Sequence, residues 1–222
     1  MKNTHKILIA AVGFAALFIL LLIARYWYAD TLYARAKNLN IIEKPKEAVP
    51  LLTKAVAISP KEALYHQGLS ESYTLLAIST QNQDFIDSAM EEIQTAINLS
   101  PANVNLKRAK FTMFIKLALV DPDYLIGAIE ALEESLAQAP TDAKLYYNLG
   151  LTYYRIGQTD KAAEILQKTI ELKSNYKDAR IAYAVILDEK GRKQEAISHL
   201  EYILTNIEPN DELTKQTLEE IK

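Results

Sequence analysis

The sequence predicts an all-α chain: a stack of about five helical hairpins with a capping helix behind them and one long apolar helix ahead of them. Three observations carry that expectation. Only six Gly and seven Pro occur in 222 residues, and 50% of the chain is hydrophobic, which suits helices packed around a continuous core. An unbroken apolar run covers residues 7–24. Four prolines recur at one place in a repeating phrase: Pro60 in AVAISP, Pro101 in AINLSP, Pro140 in LAQAP and Pro209 in LTNIEP.

Charge and cysteine content narrow the chemistry. The 25 basic and 28 acidic residues leave a formal net charge of -3, with no stretch of five like charges. Binding to a nucleic-acid backbone therefore has no electrostatic footprint, and no nucleic-acid partner is expected. The absence of cysteine excludes disulfides, zinc-thiolate sites and thiol catalysis.

The apolar run, ILIAAVGFAALFILLLIA, carries no charge. At 1.5 Å per residue it reaches roughly 27 Å, close to the thickness of a hydrocarbon core. Lys2 and Lys6 precede it, Arg25 closes it, and Tyr26, Trp27 and Tyr28 follow at the depth where amphipathic rings prefer to sit. Residues 1–6 thus read as a short basic tail and 7–28 as a transmembrane anchor. A cleaved signal peptide fits less well, because the run exceeds the usual h-region and ends in Arg-Tyr-Trp-Tyr instead of a small-x-small site. Positive charge nearly ties across the span, with the α-amino group, Lys2 and Lys6 against Arg25, Arg35 and Lys37. The basic tail before a first hydrophobic segment favours an extracytoplasmic placement of the remainder in a bacterial envelope.

The proline spacings are 41, 39 and 69 residues, and the last divides at Ser174 of IELKSNY into 34 and 35. A 34-residue period belongs to helix-turn-helix units. Between Ala143 and Tyr176, Tyr146, Leu149, Gly150 and Tyr153 form a first-helix phrase, Gly157 ends it, and Ala162 and Leu166 follow on the second helix, with Thr169 where a small Ala is usual. The next unit repeats the frame with Tyr183, Ala184, Leu187, Gly191, Ala196, Leu200 and Ile203, and one extra residue before Pro209. This pattern resembles the tetratricopeptide repeat (TPR), over about 180 residues from Ala29 to Pro209. The resemblance implies a right-handed superhelical solenoid. Its units fall at about 29–62, 63–103, 104–142, 143–176 and 177–210, with a capping helix over 211–222.

Ala36, Ala48, Leu52 and Ala55 place the first unit, whose first helix continues from the apolar span. The two middle units keep Ala89, Ile93, Ala96 and Ala128, Leu132, but are seven and five residues too long. Gln81-Asn82-Gln83-Asp84 and Asp121-Pro122-Asp123 are the polar, turn-forming places for those additions. One hairpin cannot bury its apolar stripe alone, so successive pairs must share a core. Gly150, Ala36, Ala184, Ala162 and Ala196 then mark helix crossings, where a small residue permits close approach. The final helix, LTKQTLEEIK, is expected to turn Leu213, Leu218 and Ile221 inward.

No catalytic arrangement emerges, and neither an enzyme activity, a cofactor nor a metal is expected. Glu195 and His199 lie four apart, half of a metal site at most, and read as a solvated face. His66 falls at a packing position of a first helix, and His5 lies in the tail. The pairs Glu91-Glu92, Glu133-Glu134 and Glu219-Glu220 point about 100° apart on a helix and read as solvent-facing charge. There is no Gly-rich phosphate loop or Gly-x-Ser-x-Gly turn.

What the resemblance implies instead is a concave groove lined by first helices that receives a protein or peptide. In the fourth unit it would present Lys144, Tyr147, Asn148, Leu151, Tyr154 and Arg155, and in the third Arg108 and Lys116. Lys144, Asn148 and Arg108 could hold a carboxylate, although Ala109 and Ala182 stand where a full Lys/Asn/Arg clamp would need Asn or Arg. The functional expectation is a membrane-tethered scaffold for assembly of an envelope complex. The single span, Tyr-rich juncture and elongated middle units also resemble the C-terminal TPR region of bacterial O-antigen ligase or polymerase-like membrane proteins. That likeness implies an accessory module, with a glycan as a second possible ligand.

Overall fold

The computed structural model describes residues 2–222, apart from the side chains of residues 2–4, 6–8 and 10. Lys2 and Lys6 of the expected basic tail fall among those side chains. Eleven helices and no strand occur among the described residues. They are α1 (Lys2–Ile41), α2 (Pro45–Ile58), α3 (Ala63–Thr80), α4 (Gln83–Leu99), α5 (Val104–Leu117), α6 (Tyr124–Leu136), α7 (Ala143–Arg155), α8 (Thr159–Leu172), α9 (Lys177–Glu189), α10 (Lys193–Asn206) and α11 (Glu212–Ile221). The chain is all-α, and it divides into two compact units, Met1–Ala109 and Lys110–Lys222.

In the first unit, α1 changes character along its length without a break. Its apolar part is open to the surroundings, with Phe14 75% and Leu20 61% exposed, and the stretch Ala11–Ile41 is long and apolar enough to cross a membrane. From Ala29 onward the same helix is amphipathic: Ala29, Leu32, Ala36 and Asn40 are buried at helical spacing against α2 and α3. Ala48, Leu52 and Ala55 supply the facing stripe of α2. Gly68 on α3 lets this triple contact close, since a Cβ there would lie 2.8 Å from Leu52 Cδ2 and 3.2 Å from Tyr33 Cε2.

Hairpin α3/α4 absorbs its extra residues by lengthening both arms, to 18 and 17 residues against 13 and 14 for α7 and α8. Its turn falls at Gln81, with φ 53°, and Asn82, whose side chain caps α4 by accepting from the Asp84 N–H at 2.8 Å. Polar groups inside this hairpin are paired. Ser70 Oγ donates to the Ala89 carbonyl at 2.8 Å, and Ser72 Oγ donates to Asn40 Oδ1 at 2.9 Å. His66 is indeed a packing residue, but Nδ1 sits 2.6 Å from Glu92 Oε2 and Nε2 3.0 Å from the Pro60 carbonyl. Glu92 therefore departs from the solvent-facing role expected of it, because a buried ring nitrogen needs a partner.

The second unit runs from the later part of α5 through α11. Here the long hairpin keeps arms of ordinary length and extends its turn, from Ala118 to Asp123, where the Asp121 side chain accepts from the Asp123 N–H at 3.0 Å. Gly127 faces Phe114, whose ring would come within 2.7 Å of an added Cβ. The following hairpins are regular. Gly157 and Gly191 end α7 and α9 with φ of 77° and 74°, a conformation that disfavours any side chain. In both turns the next N–H closes on a carbonyl of the preceding helix, Gln158 to Tyr153 at 2.9 Å and Arg192 to Leu187 at 2.8 Å.

Ala162, Ala184 and Ala196 are wholly buried at the crossings, beside Leu166, Leu187 and Leu200. Thr169, the departure from Ala, is also buried, and its hydroxyl is satisfied by the Ile165 carbonyl one turn back at 2.9 Å. In α11 the inward set is Thr214, Thr217, Leu218 and Ile221, and Leu213 is 58% exposed. Asp211 fixes this register by accepting from the Thr214 N–H at 2.9 Å, and positions 213 and 218 lie five apart, off a common stripe. Lys177 anchors the cap from α9 through Asp211 Oδ1 at 2.6 Å and Glu208 Oε2 at 2.9 Å.

Candidate partner-binding cleft

Within the second unit, an open cleft of about 530 Å³ is lined by Asp142, Ala143, Lys144, Tyr147, Asn148, Lys173, Tyr176 and Asp178. Helix α7 provides one wall. Asp142 caps it by accepting from the Lys144 and Leu145 N–H groups at 2.9 and 3.3 Å, which leaves the first turn presenting Lys144, Tyr147 and Asn148 on one face. Opposite them stands the α8–α9 connection. Tyr176 brings its ring to 5.1 Å from that of Tyr147 at an interplanar angle of 38°, and the Lys173 ammonium lies 4.9 Å over the Tyr176 ring.

The inner faces of α7 and α9 are spent on packing, through Leu145, Leu149 and Gly150, and through Ala179, Tyr183 and Leu187. What projects into the cleft is consequently polar and amphipathic. Burial is the first cause that raises the Tyr147 phenol above its ordinary value, followed by Asp178 and Tyr176. Burial likewise leads for Tyr176, ahead of Asp178 and Asp142. Both phenols therefore stay protonated at neutral pH. The Asn148 amide has no hydrogen-bond partner among the described residues, and the Lys144 ammonium pairs with no carboxylate there. With Lys144 and Lys173 present beside Asp142 and Asp178, the cleft is electrostatically mixed.

The remaining residues expected to line the groove do not line this cleft. Leu151 lies one turn further along α7, half buried. Tyr154 donates its hydroxyl to Glu189 of α9, and that bond is the first cause raising its pKa. Arg155 is exposed at the end of α7. Lys116 is half buried on α5, and Arg108, in the first compact unit, donates to Asn105 Oδ1 at 3.3 Å. Tyr176 and Lys173 were not anticipated. Their signal is the frame itself: a loop one unit on from Pro140 falls beside the start of α7, and SNY puts an aromatic ring in it.

A second recess, of about 400 Å³, opens among Gln167, Glu171, Arg180, Tyr183, Arg192, Glu195 and His199. His199 departs from the solvated face expected of it. It is half buried, edge-on to Tyr183 at 5.0 Å, and its Nδ1 lies 3.1 Å from Arg180 Nη1. Arg180 is only 7% exposed, stacks 3.7 Å over the Tyr202 ring and donates to the Ser174 carbonyl at 2.7 Å. Glu195 pairs with Arg192 at 2.6 Å. These residues tie α8, α9 and α10 together. Among the described residues no group of three His, Asp or Glu is placed to hold a metal.

Similarities to known proteins follow the hairpin frame. The mouse (Mus musculus) aspartyl/asparaginyl beta-hydroxylase is 23% identical over 171 residues, 74% of this chain and 22% of that protein. The bovine (Bos taurus) BBSome complex member BBS4 is 27% identical over 150 residues, 67% of this chain and 26% of that protein. The chain thus spans about a quarter of the length of these curated relatives. Among solved structures, pilF of Pseudomonas aeruginosa superposes with a TM-score of 0.63 at 16% identity, over 89% of this chain and 90% of that one. MamA of Desulfovibrio magneticus RS-1 gives 0.61 at 21% identity, over 83% and 97%. YrrB, described as a TPR protein with an unusual peptide-binding site, gives 0.59 at 17% identity, over 85% and 90%. At these identities the structures show a shared fold. The family model for the tetratricopeptide repeat matches residues 24–209, and the chain belongs to that family.

Proposed function

We propose that this protein is a membrane-anchored TPR scaffold whose α7–α9 cleft receives an extended segment of a protein partner during assembly of a bacterial envelope complex. The observation that carries the reading is the cleft's composition. Asn148 offers an unengaged amide with both a donor and acceptors, the complement of a peptide group, in a cleft it shares with the packed rings of Tyr147 and Tyr176. Each wall brings one lysine and one aspartate, Lys144 with Asp142 at the start of α7 and Lys173 with Asp178 at the α8–α9 connection, which suits a segment of mixed charge. The YrrB structure is described as having a peptide-binding site, which is consistent with this use of the fold.

Anchoring rests on the apolar part of α1, which no other part of the chain covers among the described residues and which continues into the first hairpin. An exposed apolar helix of that length calls for lipid around it. The array then stands on the extracytoplasmic side, from the basic tail ahead of the span. The accessory role in an O-antigen ligase or polymerase-like system, with a glycan as ligand, has no residue in the cleft that favours it.

The test is photocrosslinking in native membranes with a photoreactive residue in place of Tyr147, and in place of exposed Glu164 on α8 as control. A defined protein adduct from position 147 and none from 164 is expected. Equal labelling at both positions, or none at 147, contradicts the assignment.

A further inference from the structure

The first hairpin is locked to α1 at a definite height. Ala29 and Ala55 share one buried cluster with Leu32 and Tyr65, so they face each other across the α1/α2 contact. Helix α2 runs back along α1, and at 1.5 Å per residue its last residue, Ile58, comes level with about Tyr26. Three side-chain bonds agree with that register. Arg25 Nη2 donates to the Ile58 carbonyl at 3.0 Å, Lys54 Nζ donates to the Tyr28 hydroxyl at 2.9 Å, and the Tyr65 hydroxyl donates to Asp30 Oδ1 at 2.5 Å. The turn 59–62 therefore lies abreast of the point where the uncharged run of residues 7–24 gives way to Arg25.

A headgroup layer extends roughly 5–8 Å beyond the hydrocarbon on each side. Measured along α1, that covers about the first turn or so after Ala24, which is the height of the α2–α3 turn and the last turn of α2. We infer that the α2–α3 turn of the first hairpin docks in the phospholipid headgroup layer, with Lys61, Lys54 and Arg25 toward lipid phosphates. The inference rests on the anchor reading above and on the register just described. Composition fits: Lys54, Pro60, Lys61 and Leu64 are exposed, and Tyr26, Trp27 and Tyr28 ring the neighbouring helix. The acidic groups at this level are Glu62 and Asp30, and Asp30 is engaged by Tyr65. Because α1 is unbroken and α2 and α3 both pack on it, the contact fixes how the first hairpin stands on the membrane.

The absence of native cysteine makes the test direct. Full-length Lys61→Cys, Lys44→Cys and Leu20→Cys variants are labelled with an environment-sensitive fluorophore. They are then reconstituted into nanodiscs containing headgroup- or acyl-chain-attached nitroxide lipids. Lys44 belongs to the opposite turn of the hairpin, about 24 Å above Arg25 by helix rise. Quenching of position 61 by the headgroup nitroxide at least threefold stronger than of position 44 is expected, with position 20 quenched by the acyl-chain nitroxide. If position 20 is quenched and 61 behaves like 44, the headgroup contact is overturned while the anchor stands. If position 20 is not quenched, the anchor reading fails and the contact with it.

Discussion

Gly150 offers the sharpest test of hairpin packing, because two opposing terms of known size meet there. Added to Gly150, a Cβ would lie 2.8 Å from Leu166 Cγ, 3.0 Å from its Cδ2 and 3.5 Å from the Ala162 carbonyl. Leu166 is wholly buried, and the nearest atom is its branch point, so it has no open side to retreat into. Overpacking of this kind costs about 1–3 kcal/mol. Replacing a mid-helix Gly by Ala returns about 1 kcal/mol of helix propensity. Gly150→Ala is therefore expected to destabilise by about 1 kcal/mol, and Gly150→Leu by several. In a Leu166→Ala background the clash is gone and propensity alone remains, so the same Gly150→Ala change should stabilise by about 1 kcal/mol. Hydrogen exchange of α7 and α8 amides in the four proteins reads both values locally, which suits a repeat protein whose unfolding need not be all-or-none. Stabilisation by Gly150→Ala in the wild-type background would refute the crossing assigned to it.

Three further expectations concern turns and charges. Gly157→Ala and Gly191→Ala meet open space yet carry positive φ, so each should lose about 1 kcal/mol through backbone strain alone, measured by urea unfolding of the full-length protein in detergent. The Lys177 ammonium, followed by the Thr214 hydroxyl and N–H, pulls the Asp211 carboxyl down to about 2. Its contribution is thus complete above the unfolded value of about 3.9 and is lost as pH falls from there toward about 2. Fraying of α11 by circular dichroism should follow that window, and Asp211→Ala should fray it already at neutral pH by loss of the cap, worth about 1 kcal/mol. Burial first, then Arg180, lowers the His199 pKa, with Arg192 acting in the same direction and Glu195 against it. A neutral imidazole favoured by the fold means that stability is whole above the unfolded value of about 6.5 and declines as pH drops below it. His199→Phe should flatten that decline between pH 6.5 and 5, and an unchanged slope would dismiss His199 as its source.

Much of the architecture was legible because close approach leaves a mark at single positions. Gly150, Ala36, Ala162, Ala184 and Ala196 have no alternative to being small where two helices cross, and Gly157 and Gly191 supply a left-handed turn; these residues fill the frame that the proline spacing set. The middle hairpins were less legible, since extra residues can enlarge arms or turns at equal chain length. Asn82 capping lengthened arms in one case, and Asp121 stabilised a longer turn in the other. Gly68 and Gly127 are equally tight crossings, but they lie in these irregular units, where no frame singles them out. Long-range polar pairing was hidden for a different reason: His66 and Glu92 stand 26 positions apart, on helices whose relative rotation the sequence does not specify. In the cleft, Lys144, Tyr147 and Asn148 lie on the first-helix face that the TPR resemblance implies, whereas Tyr176 enters from a loop. The exposed Leu213 was misread by hydrophobicity where the cap at Asp211 decides the face.

The most direct measurement of the scaffold reading is the affinity of the crosslinked partner segment for the full-length protein by calorimetry, with Asn148→Ala compared against Gln167→Ala on the opposite helix of the hairpin. Loss of peptide-group hydrogen bonding should weaken binding about tenfold in Asn148→Ala, with Gln167→Ala unchanged. Equal affinities for all three proteins would contradict the cleft as the binding surface.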